Sequence, residues 1–371
     1  MLGLTEIRRR KLQFVLIGLM VTLVTYLVLM VNGLGIGLNE LSGRALKNWN
    51  ADAIAYSDTS NISVIRSELG AGTVAEVAKL PGVASSTPLG YYGVNIRKQD
   101  GSISSKAKSA ALVGFDLGSI GEPKVVAGSN LQPGDRDGLL ADKTFLSATD
   151  LKVGDTVNLA YKLTTSTFRI VGEIDQGAFF FQPTVYVLRS TWQDMKYGGE
   201  SGDQPVASIM LLKGGNLPAQ HLDGVTIVSK DTAFKNIEGV SAQQSTVNAL
   251  MFFGYLIGAL IIGVFFYVLT LQKVPQIGVL KAIGASSFFV VRQILVQVVA
   301  LAVVGVGIAI PLAWLTNRGL QQLSSQVPVA FTTSAFVITS LAMVATALAG
   351  AVFSARQAIK VDPIIALGQQ Q

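Results

Sequence analysis

Few residues in this 371-residue chain could hold a metal or act as a nucleophile, since it has no cysteine and one histidine, His221. Thiolate catalysis, disulfides, thioether-linked haem and His/Cys zinc sites are thereby excluded, and any metal would need carboxylate, methionine or tyrosine ligands. Neither a G-x-x-x-x-G-K-[ST] loop nor any Gly-Lys dipeptide occurs, so ATP cannot be bound in the P-loop manner. A G-x-S-x-G nucleophile elbow is missing too. Gly33, Gly35 and Gly37 lack the strand-then-helix setting of a dinucleotide fingerprint and read as points of helix flexibility. The chain is expected to be no enzyme, with no cofactor and no metal of its own.

The elements around these residues are dominated by apolar sequence. Half the residues are hydrophobic and 14% are charged, against about 25% charged in soluble domains. Four stretches carry no charge at all, Leu12 to Asn39, Gly239 to Gln272, Gln293 to Asn317 and Gly319 to Ala355. Each exceeds the roughly 20 residues a helix needs to cross about 30 Å of hydrocarbon. The expected layout is a basic arm at 1–11, a first span at 12–38, an external domain at 39–246 and a second span at 247–272. A loop at 273–292, a third span at 293–317, a short external loop at 318–334, a fourth span at 335–355 and a tail at 356–371 complete it. The first run is about twice the length of a signal-peptide core and lacks a small-residue cleavage site, so it is expected to be retained.

Charge sets the orientation. The arm, the 273–292 loop and the tail together hold nine basic and two acidic residues, whereas residues 39–246 hold nineteen basic and twenty-one acidic. The positive-inside rule puts both termini in the cytoplasm and the large segment outside. The net charge of +6 is thus a topology signal and not a nucleic-acid footprint. No acid or base lies inside a span, which argues against transport driven by a buried charge relay; a transporter of this kind would be driven mechanically.

In the external segment, Ile, Val and Leu recur at helical spacing from Asn61 to the Leu80-Pro81-Gly82-Val83 stop, predicting a helix there. Further on, GLLADKTFLSATDLKVGDTVNLAYKLTTSTFRIVGEI predicts a short helix, a Gly154-Asp155 turn between apolar runs, and two alternating strands. The fold class is therefore four transmembrane helices, one plus three, with a large α+β domain inserted between the first and second. Tyr91, Tyr92, Trp192 and Tyr197 read as core or interface packing, and Phe179-Phe180-Phe181 beside Gly177 as either packing or a membrane-surface or partner loop.

The run Ile277-Gly278-Val279-Leu280-Lys281-Ala282-Ile283-Gly284-Ala285-Ser286 resembles the signature loop of MacB/FtsX-like ABC transporter permeases, of type VII exporter architecture. Ala355-Arg356 with Val361-Asp362-Pro363 and Ala366-Leu367 resembles their C-terminal motif. Leu80-Pro81-Gly82-Val83 and Leu151-Lys152-Val153-Gly154-Asp155-Thr156-Val157 look like parts of their external domain, so the resemblance covers essentially the whole chain. It departs from the family at Gln272 and Gln276, where acidic residues are usual, and at Pro275. Within the family it is most similar to HrtB-type haem exporter permeases. The resemblance implies a homodimer in the cell membrane that docks two copies of a separate cytoplasmic ATPase and exports haem as substrate from the lipid through a laterally open cleft. An FtsX-like mechanotransmitter acting on an external partner, or export of a lipopeptide or antibiotic, are the alternatives.

On that reading the residues take roles. Ile277, Leu280 and Ile283, with Gly278 and Gly284 at the ends of a short helix and Lys281 at its side, would fill a groove on the ATPase. Gly254 and Gly258 permit close helix approach at a dimer contact. Haem asks for apolar faces, an axial ligand and a polar rim; Tyr26, Met30 and Glu40 near the end of the first span, with Met251, Phe252 and Tyr255 opening the second, are the candidates. Glu40 or Met30 would meet the iron. Arg44 and Lys47 pair with propionates or are simply solvated. His221 stands in a polar stretch, LPAQHLDG, and reads as a surface residue.

Overall fold

The computed structural model describes residues 11–97, 108–162, 164–198, 204–217, 222–323 and 327–360. In chain order these form α1 (Lys11–Asn48), β1 (Ala53–Ser57), α2 (Ala71–Val77), β2 (Val83–Arg97), β3 (Ser109–Phe115), β4 (Val125–Gly128), β5 (Gly138–Asp142) and α3 (Lys143–Thr149). Then follow β6 (Thr156–Tyr161), β7 (Thr164–Ile174), β8 (Thr184–Leu188), α4 (Arg189–Tyr197), β9 (Ile209–Gly214), β10 (Val225–Ser229) and α5 (Lys230–Lys235). The chain ends in α6 (Val240–Gln272), α7 (Val274–Ala282), α8 (Ser287–Leu323) and α9 (Thr333–Lys360). Two compact units result, Met1–Gly37 with Gln244–Gln371, and Leu38–Gln243.

The first unit is a membrane bundle. α1, α6, α8 and α9 are each long and apolar enough to cross a bilayer, which makes this a membrane protein of the one-plus-three layout. Phe14, Ile17 and Val21 of α1 meet Ile262 and Phe266 of α6, Val298 and Leu301 of α8, and Ala347 and Ala351 of α9. Hydrocarbon gives apolar side chains no reason to cluster, so contact depends on backbones approaching closely. At the crossing of α6 and α9 a Cβ on Gly350 would lie 2.3 Å from the Ala259 carbonyl oxygen. The glycines at the end of the first span serve the same purpose and not flexibility. A Cβ on Gly33 would sit 2.4 Å from the Phe331 ring, and the Gly33 carbonyl accepts the Ala330 N–H at 3.0 Å.

The helices outrun the expected spans. α1 continues ten residues past position 38, because its apolar face persists as Ala45 and Leu46 while Glu40 and Lys47 stay in solvent. α6 likewise begins at Val240 rather than 247.

In the second unit the 15-residue β2 belongs to two sheets. Its first half, Val83 to Leu89, pairs with β9 in the order β10-β1-β9-β2. The second half pairs with β3 and, at Asn95 to Arg97, with β6. Strands β2, β3, β8, β5, β7 and β6 then close into a six-stranded ring. Inward-pointing Tyr92, Val94, Leu112, Leu139, Leu159, Phe168 and Val187 fill it, joined by Phe145 of α3 and Trp192 of α4. The indole needs bare backbone beneath it: a Cβ on Gly90 would lie 2.1 Å from it. The outer face, with Tyr91, Val113, Phe115, Leu140 and Tyr186, packs on Ala45, Leu46 and Trp49 at the end of α1. Burial pushes the phenols of Tyr91, Tyr92 and Tyr186 well above their ordinary range.

The β6–β7 pair and the short α3 lie where the alternation and turn chemistry require. The helix expected from Asn61 to Leu80 shrinks to the seven residues of α2. Asn61 and Ile62 both take left-handed backbone, and Ser60, Ser63 and Ser67 are buried, so Ile and Val at helical spacing belong instead to a turn-rich segment.

The close α6–α9 crossing predicts that Gly350→Val lowers the stability of the purified protein by about 1–3 kcal/mol through overpacking. Gly307→Ala, where nothing lies within 4 Å, should be neutral or slightly stabilising; thermal unfolding in one detergent compares them.

Candidate functional site

The residues expected to bind substrate fall in both units. In the membrane bundle, Tyr26 and Met30 stand one turn apart on α1 and are half-buried. They pack on a small cluster of Leu29, Ala309 and Ala313, with Phe331 and Phe336 beside it. The Tyr26 hydroxyl donates to Thr316 Oγ1 of α8 at 3.2 Å. On α6, Met251 and Tyr255 are half-buried at the same one-turn spacing, while Phe252 and Phe253 are exposed with their rings edge to face, 5.6 Å apart. Tyr255 hydrogen-bonds Thr339 of α9, whose hydroxyl also accepts the Asn32 amide at 2.7 Å. A fully buried threonine therefore ties three helices together. Thr339 was not singled out from the sequence, where it stands beside Ser340 as one of several hydroxyls in the fourth span.

Gly254 and Gly258, expected at a dimer contact, turn to the chain's own α1. A Cβ on Gly254 would meet Val28 at 2.8 Å, and one on Gly258 would meet Val24 at 3.1 Å and Met343 at 3.3 Å. The small-residue spacing did mark a close helix approach, but within the protomer. A different stripe of α6, Phe253, Leu256, Ile257, Leu260 and Val264, faces outward.

Glu40 belongs to the other unit and is exposed. It starts a chain of alternating charges. Arg44 Nε lies 3.4 Å from its carboxylate, Arg44 Nη2 lies 3.3 Å from Asp175, and Lys143 Nζ reaches the other Asp175 oxygen at 3.3 Å. Being solvent-exposed, these pairs contribute little stability each, but they commit Arg44. Lys47 is committed as well, its ammonium 3.8 Å from the Phe234 ring centroid. Lys230 caps the end of α1, donating to the Lys47 carbonyl at 2.8 Å and to that of Trp49 at 2.7 Å. Burial pulls its ammonium below the ordinary lysine range, against the opposing pull of Asp52 and Asp231. His221 and the C-terminal Val361-Asp362-Pro363 motif lie outside the described residues.

The loop between the second and third spans folds as α7, entered through Lys273 with Pro275 in its first turn. Two of its expected contact residues point inward instead: Ile277 and Gly278 are buried, Ile277 within the bundle core. The helix needs one apolar face of its own to sit on the spans. Lys281 Nζ donates to the Ile359 carbonyl at 2.8 Å, and Leu280 is half-buried. The exposed large apolar side chains here are Val279, Ile283 at 77% exposure and, past the turn, Phe288 at 76% and the less exposed Phe289. Gly284 makes that turn with a φ of +101°, a conformation glycine takes without penalty.

Residues 248–363 match the family described as FtsX-like permease C-terminal, and this part of the chain is an FtsX-like permease domain. Across 98% of its length the chain is 26% identical to the Staphylococcus haemolyticus protein named "Putative hemin transport system permease protein HrtB", covering 97% of it. It is 23% identical, over 99% of its length and 98% of the relative, to an uncharacterized ABC transporter permease of Mycobacterium tuberculosis. Among solved structures, the periplasmic region of MacB from Actinobacillus actinomycetemcomitans aligns at 18% identity and a TM-score of 0.35, covering 53% of this chain and 99% of that one. Over its full length the chain is thus similar to ABC transporter permeases, and its C-terminal part carries the FtsX-like permease domain.

The three-helix tie at Thr339 predicts that Thr339→Val costs about 0.6–1.7 kcal/mol, the range of hydrogen bonds inside membrane bundles. Asn32→Leu in the Thr339→Val background should add little, because the shared bond is already gone; a double-mutant cycle in detergent unfolding reads this out.

Proposed function

We propose that this chain is the permease subunit of an ABC-type efflux pump. Two copies work with two copies of a separate cytoplasmic ATPase to export haem from the membrane. The observation that carries the reading is the full-length likeness to permeases named for hemin transport, extending through both units. The chain has no phosphate-binding loop of its own, so energy must enter by contact with a partner. Charge balance favours a cytoplasmic location for α7 and both termini.

In this reading haem is held by the membrane bundle. Met30 and Met251 supply soft sulfur, Phe252 supplies an exposed apolar ring, and Tyr26 and Tyr255 supply the polar margin. A flat, largely apolar ligand with an iron suits such a set. Homodimerisation then falls to the outward stripe of α6 rather than to its glycines. The ATPase contact is made by Val279, Ile283 and Phe288, the most exposed apolar side chains around the Gly284 turn.

Titrating the purified full chain with haem should give a saturable Soret shift near one haem per dimer. Met30→Ala and Met251→Ala are expected to weaken it, tenfold or more for the one that is the axial ligand. Absence of any shift in the wild-type protein would remove haem as cargo and leave the permease assignment intact. Independently, Ile283→Asp should cut affinity for the cognate ATPase by about tenfold or more, as expected for an apolar anchor. Gly284→Val should uncouple ATP hydrolysis from export without altering the haem titration. Unchanged ATPase binding in the Ile283 variant would place the contact elsewhere.

A further inference from the structure

α1 does not run through Gly43 as an unbroken helix. Gly43 takes φ −162° and ψ 29°, and the segments on either side are joined across a kink. In an uninterrupted helix the Ala45 N–H would bond to the Leu41 carbonyl. Here each has been given to another part of the chain. Ala45 donates to the Ala178 carbonyl at 3.1 Å, while the Leu41 carbonyl accepts the Phe181 N–H at 2.9 Å and the Ser42 carbonyl accepts that of Phe180 at 2.9 Å. The loop from Ala178 to Phe181 is thus inserted into the hydrogen-bond ladder of α1, and no backbone group named here is left without a partner.

The inserted loop is held under strain. Phe180 and Phe181 sit at φ +50° and +59°, a left-handed conformation that bulky residues rarely adopt, and Gly177 at the base of the loop sits at +95°. Such outliers persist only where surrounding structure over-determines them. The base of the loop is firmly anchored: the buried Asp142 carboxylate accepts the Gln176 and Gly177 N–H groups at 2.7 Å each, and Thr184 Oγ1 donates to the Gly177 carbonyl at 2.7 Å. Phe179 is buried edge-on to Trp49 and Tyr91, with ring centroids 5.3 and 5.4 Å away. Phe181 is 42% exposed and contributes little packing in return for its backbone strain.

We infer that the Ala178–Phe181 loop is a clip with two states. In the state described, it is inserted and α1 is bent at Gly43; in the other, it is expelled and α1 closes its own ladder through the Ala45-to-Leu41 bond. The exchange loses three loop bonds, restores helical ones and releases two left-handed phenylalanines, so neither state is heavily disfavoured by bond count. What opposes expulsion is the packing of Phe179. The clip is a conformational device of the sheet-containing unit, and it stands whether or not haem is the cargo.

Hydrogen exchange resolved to single amides, on the full-length protein in lipid nanodiscs, tests it. Expulsion frees the Phe180 and Phe181 amides but gives Ala45 a new acceptor. Those two amides should therefore exchange faster than the Val185–Leu188 strand while Ala45 stays protected. Gly177→Ala, which puts a side chain at φ +95° and 2.5 Å from Arg44 Cγ, should speed exchange at Phe180 and Phe181 by about tenfold. Phe181→Gly removes the strain of the inserted state and should slow exchange at the Phe180 amide. Ala45 exchanging in step with Phe180 and Phe181 would mean simple fraying and overturn the two-state clip. Equal exchange of loop and strand in all three proteins would overturn it as well.

Discussion

A bilayer core offers no water to an unpaired peptide group and no hydrophobic drive to press one apolar helix on another. Everything in the membrane bundle follows from those two facts. Backbone groups are closed within the helices, and Thr22 and Thr25 return their hydroxyls to carbonyls one turn back at 2.7 Å. Association then rests on bare backbone and a few shared hydrogen bonds: Gly254 and Gly258 against α1, Gly350 against Ala259, and Thr339 between Asn32 and Tyr255. Long side chains such as Phe253, Leu260 and Val264 are left to face outward, where lipid or a second copy can cover them.

The sheet-containing unit answers a different constraint. A strand of 15 residues cannot stay flat and satisfy both edges in a single sheet, given the twist between neighbouring strands. β2 resolves this by passing from a four-stranded sheet into a closed ring, and the ring has no open edge among its six members. Within its filling, one tryptophan sits over two glycines, Gly90 and Gly114, so that side-chain volume and backbone are traded position by position.

The sequence made the membrane spans and their order plain, because twenty-eight successive positions without charge from Leu12 to Asn39 admit few other readings. It could not show where the helices end. Past the membrane, α1 carries Glu40, Arg44 and Lys47 on one side and Ala45 and Leu46 on the other, and that mixture looks like a loop until the sheet that buries the apolar side is known. The turn at Gly154-Asp155 was legible from local chemistry alone. The segment after Asn61 was not, since Ile and Val at helical spacing say nothing of the left-handed turn that redirects them. Close-approach glycines announced contacts without naming partners, and Ile277 showed its type but not the bundle it packs into. The commitment of Arg44 to Asp175, 131 positions away, is the sort of pairing no local pattern carries.

The end of α1 is finished by residues made much later. The Asn48 side chain donates to the Gln176 carbonyl, 128 positions downstream, and the Ala178–Phe181 loop follows directly. At cellular synthesis rates that interval is on the order of ten seconds. During it the apolar run can be in the bilayer while the helix beyond Gly43 has none of its final neighbours. Biogenesis of this chain is therefore a two-stage event, insertion first and completion of the same helix afterwards, and the interval between them is when chaperones or proteases outside the membrane would meet Leu46 and Trp49 uncovered.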